Sequence, residues 1–118
     1  GGDEFTILLA SIESPMVAAE VARRILTVLR TPVRIAGHDL VVTTSIGITL
    51  LPDDGVEPQL LLKNADLAMY RAKEQGRNNY QYFSEELNVR AVKRLRTENE
   101  LRLALEREGL MKIQARSL

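Results

Sequence analysis

Gly1-Gly2-Asp3-Glu4-Phe5-Thr6-Ile7-Leu8-Leu9-Ala10 is the stretch that decides the reading of this chain. Two glycines tolerate positive φ and put no Cβ in the way of a close ligand. A Gly-Gly pair between extended segments is also a hairpin signal. Residues 5–10 are mostly apolar and read as a buried strand. Asp3 and Glu4 then stand side by side at the tip of a hairpin. Adjacent acids at the mouth of an apolar strand must be solvated or bound to a cation. Hard oxygen ligands of this kind suit Mg2+, which takes one or two carboxylates together with substrate phosphates. A polar turn capping a strand is the bland alternative, and for an arbitrary Gly-Gly-Asp it would be the better one. The rest of the chain tips the balance.

Working outward, Ser14 and Pro15 are a helix start, and Val17, Val21, Ile25, Val28 and Leu29 recur at helical spacing until Thr31-Pro32 ends the run. A short strand over 33–36 turns through Gly37-His38-Asp39 into a longer one over 40–51, a pattern that predicts an antiparallel hairpin. Val42, Thr44, Ile46, Ile48 and Leu50 share one face of that strand. Pro58 opens the next helix and Gly76 closes it, with Leu61, Ala65, Ala68, Met69 and Ala72 as the buried stripe. Residues 79–83 read as a strand. Ser84 then caps a charge-rich helix to about residue 108, with Glu86/Arg90 and Glu98/Arg102 as favourable i,i+4 pairs and Gly109 as its stop. Antiparallel strands with helices on one face predict an α+β sheet sandwich. The first strand lacks a hairpin partner in this sequence, which predicts an unpaired edge beside the acids.

Composition narrows the function. The chain has 118 residues, with 16 basic against 16 acidic side chains and 45% hydrophobic residues, enough for a small core. The balanced charge gives no footprint for nucleic acid. No apolar run approaches a membrane span. There are no cysteines, which excludes thiolate metal sites and fits a cytoplasmic location. The single histidine, His38, reads as a solvated turn residue.

The second chemical signal is the stretch from Asn64 to Asn78. Lys73 falls in the last helical turn and Arg77 just past the closing Gly76. Cations at a helix C-terminus are favourable on dipole grounds alone, by about 0.3–1 kcal/mol each. The sharper alternative is a clamp on a polyphosphate, with lysine as point charge and arginine as bidentate fork.

Three separated motifs now occur in order: Gly1 to Phe5, Thr43-Thr44-Ser45-Ile46-Gly47, and Ala65-Asp66 to Asn78. Residues 1–83 resemble the C-terminal half of a GGDEF diguanylate cyclase domain throughout. The resemblance implies a partial nucleotide-cyclase-like antiparallel sheet with packed helices, and an enzyme that condenses two GTP into cyclic di-GMP and pyrophosphate. It implies one GTP per protomer and catalysis in a homodimer of such domains. By position, Gly1 and Gly2 match the turn that approaches the nucleotide, and Asp3 matches an acid that holds Mg2+. Glu4 matches the acid that activates or orients the attacking 3′-hydroxyl. Lys73 and Arg77 match cations on the GTP phosphates. Asp66, Tyr70 and Asn78 are read as structural. The family's other metal-binding aspartate and its guanine-reading residues lie upstream of the motif, so this piece alone is expected to be inactive.

The tail has its own resemblance. Residues 94–106 resemble the approach to an EAL phosphodiesterase domain, and 110–114 could be that domain's first strand, with Gln114 matching its glutamine. Ile113 stands where that family has tyrosine, and no proline follows. The domain reading is therefore 1–83 for the cyclase half, 84–109 for a long linker helix, and 110–118 for the start of an EAL domain. A second functional reading stays open: a catalytically idle, GTP-binding domain that regulates a neighbouring phosphodiesterase.

Overall fold

The computed structural model describes residues 3–96 and 107–117. Their order is β1 (Asp3–Ile12), α1 (Met16–Arg30), β2 (Val33–Ile35), β3 (His38–Leu40), β4 (Val42–Leu51), α2 (Pro58–Glu74), β5 (Asn79–Tyr82), α3 (Glu85–Arg96) and β6 (Arg107–Ser117). The architecture is α+β. One mixed sheet has the strand order β1-β6-β4-β5, and β2 with β3 makes a separate two-stranded ribbon. β6 runs antiparallel to both its neighbours, while β5 runs parallel to β4.

Strand alternation sorts β4 between two faces. Ile46, Ile48 and Leu50 join Tyr82, Met111 and Ile113 in a core closed by Ala18, Ala19, Ala22 and Leu26 of α1 and by Leu87 and Ala91 of α3. The opposite side carries Ser45, Gly47 and Thr49, and α2 packs there: the Thr49 hydroxyl donates to the Leu61 carbonyl at 3.4 Å. A Cβ on Gly47 would lie 2.5 Å from the Met69 backbone nitrogen, and closer still to the Ala65 carbonyl oxygen. Glycine at this position is what lets α2 lie against the sheet.

Hydrogen bonds at the helix ends explain where the helices start and stop. The Ser14 hydroxyl accepts the Met16 N–H at 3.2 Å, and the Tyr82 hydroxyl accepts the Ala19 N–H at 3.1 Å while donating to the Pro15 carbonyl. Donors in the first turn of a helix have no partner inside it, so these side chains complete α1. α2 ends on a left-handed run, Gly76 at φ 103°, Arg77 at 60° and Asn78 at 51°. There the Arg77 N–H returns to the Ala72 carbonyl at 3.1 Å.

Four expectations change. Helices cover both faces of the sheet, because the small residues of β4 that look solvent-facing are roofed by α2. The turn at Gly37 does form a hairpin, but only between β2 and β3; β4 pairs instead with β6 and β5. Residues 44–50 are buried throughout, and a strand covered on both faces takes ladder partners on both edges. β1 is an edge strand and is largely exposed, with Phe5 at 55% and Leu8 at 76%. Finally, α3 is described only to Arg96, residues 97–106 lie outside the described set, and Gly109 sits inside β6 rather than at a helix end. The Glu98/Arg102 pair also falls outside the described residues.

Candidate active site

The two acids open β1. Asp3 pairs in register with Ala115, and Glu4 with Gln114. On the other edge of β6 the same two residues pair with Thr44 and Ser45 at the start of β4. The Asn78 side-chain oxygen accepts the Thr44 N–H at 3.2 Å. The mouth of β1 and the turn that closes α2 therefore lie at one end of the sheet. β1 and β4 are two strand spacings apart there, about 10 Å.

Glu4 points to the α2 side of the sheet. Its Oε1 lies 3.2 Å from Lys112 Nζ, and the same ammonium lies 2.8 Å from Asp66 Oδ1 on α2. The Lys112 side chain is 17% exposed, against nearly half for either acid. Hydrogen bonding to Asp66, then to Glu4, pushes the Lys112 pKa up against an opposing effect of burial. Register explains the fit. Lys112 stands opposite Thr6 on β1 and Gly47 on β4, so its stem runs between a small side chain and none at all.

Lys73 shares the helix face of Asp66 two turns further on, roughly 10 Å along the axis. It lies in the last turn of α2, and Arg77 is exposed just past it. The backbone thus brings Glu4, Lys73 and Arg77 to the same end of the molecule. Gly1 and Gly2 lie outside the described residues, as does the side chain of Asp3. Asn78 completes the backbone of β4, as its reading as a structural turn residue implies. Tyr70 is 59% exposed, so it does not pack in the interior. Asp66 is structural in a long-range sense, tying α2 to β6 through Lys112. That lysine was missed from sequence. Its signal is visible in retrospect: one cation within the apolar alternation Leu110-Met111-Lys112-Ile113.

Other concavities lie elsewhere. A groove of about 800 Å³ runs along α1 between Glu20, Arg23, Arg24, Thr27 and Val28, on the face of the sheet away from Glu4. All its lining comes from one helix surface, and Arg23 already donates to the Tyr80 hydroxyl at 3.4 Å. A cavity of about 290 Å³ at the far end of β4 is lined by Asp53, Asp54 and Glu86 beside Arg90, a poor match for phosphate.

A family model for the diguanylate cyclase GGDEF domain matches residues 1–79. The chain belongs to the GGDEF domain family. It is 42% identical over 111 residues to the bifunctional diguanylate cyclase/cyclic di-GMP phosphodiesterase MucR of Pseudomonas aeruginosa, across 94% of this chain and 16% of that protein. It is 42% identical over 109 residues to the cyclic di-GMP phosphodiesterase NbdA of the same organism, across 92% of this chain and 14% of that protein. Among solved structures, an EAL/GGDEF domain protein from M. capsulatus superposes with a TM-score of 0.57 at 37% identity, covering 67% of this chain and 58% of that one. This GGDEF chain thus spans about a sixth of the curated relatives' length. Their names place it in cyclic di-GMP signalling. No helix among the described residues is long and apolar enough to cross a membrane.

Proposed function

We propose that this chain is the motif-bearing half of a diguanylate cyclase domain, one that condenses two GTP into cyclic di-GMP and pyrophosphate. The observation that carries the reading is the unaltered Gly1–Phe5 motif at the same end of the sheet as Lys73 and Arg77. Phosphoryl transfer depends on in-line positioning and on neutralising charge at phosphate oxygens. Glu4 is the acid to orient or deprotonate the attacking 3′-hydroxyl. Lys73 and Arg77 form no ion pair with a described acid, which leaves both heads available to phosphate. Gly1 and Gly2 let the turn approach the nucleotide. In this reading the residues for guanine and for the second metal contact come from outside this chain, two such domains meet as a homodimer, and an EAL domain follows.

Cyclases of this family use Mg2+, with Asp3 as the matching acid. Glu4's surroundings as they stand do not fit that ion. The position beside its carboxylate holds an ammonium, and no group of three or more ligating side chains occurs among the described residues.

Cyclic di-GMP formation from GTP by the intact parent, with the 118-residue chain alongside, tests the proposal. Product from the parent, reduced at least a hundredfold by Asp3→Ala and by Glu4→Ala, supports it; near-normal turnover in both variants refutes it. GTP binding without product would instead favour an idle regulatory domain, a reading that relatives named as phosphodiesterases keep in view.

A further inference from the structure

We propose that Lys112 is a built-in cation that holds Glu4 in reserve: its ammonium and a divalent metal compete for the same carboxylate. The proposal rests on the reading of Glu4 as the working acid, and begins from the misfit just described. One nitrogen lies within 3.2 Å of oxygens from both Glu4 and Asp66. Those two oxygens are therefore within about 6 Å of each other, a range in which bare carboxylates repel. A cation between them is required electrostatically, and the chain supplies its own.

Three features suit Lys112 to that role rather than to a passive surface pair. First, its position is over-determined. The central strand of three carries it, and Thr6 and Gly47 on the flanking strands leave a channel for its stem. Second, it joins two elements that each carry part of the proposed site, β1 through Glu4 and α2 through Asp66. Third, its head can leave without unfolding anything. Both partner acids are about half exposed, so the ammonium can rotate toward water while β6 stays paired. A lysine ammonium is a strongly hydrated point charge on a flexible stem, which makes the exchange local and reversible.

Manganese titration of the 118-residue chain, followed by the electron paramagnetic resonance signal of free Mn2+, tests this without reference to nucleotide turnover. Lys112→Met keeps the unbranched stem and removes the charge. It should bind Mn2+ at least tenfold more tightly than the wild type, and the gain should vanish in Lys112→Met with Glu4→Gln. Lys112→Arg keeps the charge and should stay close to the wild type. Equal affinity in wild type and Lys112→Met, or a gain that survives Glu4→Gln, overturns the proposal. Should the methionine variant fail to fold by circular dichroism, the wild type still decides the question. Acylation of Lys112 by an amine-selective reagent, read by mass spectrometry, should then rise several-fold with saturating Mg2+, and an unchanged rate refutes the competition. An inactive parent would sink the cyclase reading and leave these outcomes untouched.

Discussion

Replacing Gly47 by alanine is the most stringent test of how this sheet holds its site. The added Cβ would meet the Met69 nitrogen at 2.5 Å and the Ala65 carbonyl oxygen closer still, where ordinary contact begins near 3.4 Å. Both obstacles are helix backbone, so no side chain can turn aside. α2 must withdraw by roughly 1 Å, or β4 must bend. Overpacking a well-filled interior costs about 1–3 kcal/mol, and a rigid backbone obstacle puts this case at or above the upper end. Against a total of about 5–15 kcal/mol for an ordinary domain, that is a large fraction. The same withdrawal separates Asp66 from Lys112, so the variant should lose the ion-paired geometry as well as stability. Urea unfolding followed by circular dichroism measures the effect, with Gly37→Ala as the control. Gly37 has nothing within 4 Å of its Cβ position, but a φ of 81°, so its variant carries only backbone strain of about 1 kcal/mol. If Gly47→Ala unfolds within about 1 kcal/mol of the wild type at an unchanged slope, the close seating of α2 on β4 is wrong.

Three further substitutions probe the frame around the site. Tyr82→Phe removes the hydroxyl that serves both the Pro15 carbonyl and the Ala19 N–H, and should destabilise by about 1–3 kcal/mol in the same urea assay, with the loss traceable to amide exchange in the first turn of α1. Arg71 binds Glu85 at 2.6 Å and the Tyr82 and Phe83 carbonyls at 3.2 and 2.9 Å. Arg71→Ala should lower the thermal midpoint, and Arg71→Lys should fail to restore it, since an ammonium cannot fork across these acceptors. Asp54 has its pKa raised by burial, against the lowering effect of its hydrogen bond from the Leu50 N–H. A raised folded-state pKa means stability present below the ordinary aspartate range and lost as pH rises through the folded value. Unfolding midpoints between pH 3 and 7 should therefore show Asp54→Asn gaining on the wild type as pH rises.

Legibility tracked local chemistry. The bounds of α2 followed from Pro58 and Gly76, and the outward swing of Arg77 from the same glycine, because a proline and a glycine state their conformations in one residue each. The inward face of β4 followed from alternation. What was missed is non-local. Ser45, Gly47 and Thr49 look solvent-facing because they are small or polar; their cover is the alanine stripe of α2, twenty residues on, and only the pairing of the two explains either. The short hairpin at Gly37 was legible as a turn, but whether β4 continued it depended on competing strands. Val33 and Ile35 remain more than half exposed, so the ribbon offered β4 little to bury.

The same logic explains why the site could be named in part but not completed. A motif announces residues that are close in sequence, and Asp3 and Glu4 are neighbours at a strand mouth. The charge that answers Glu4 comes from position 112, and the one that steadies it from position 66, on different elements. Read linearly, Lys112 interrupts an apolar strand and Asp66 interrupts an alanine stripe; each is a local inconsistency of the kind that costs stability unless something pays it back. In three dimensions each is the other's explanation, and Gly47 between them is the vacancy that permits the contact. Inconsistencies of this type, a lone charge within a strand and a lone acid on a packed helix, are therefore the positions to pair first when a sheet of this family is read from sequence.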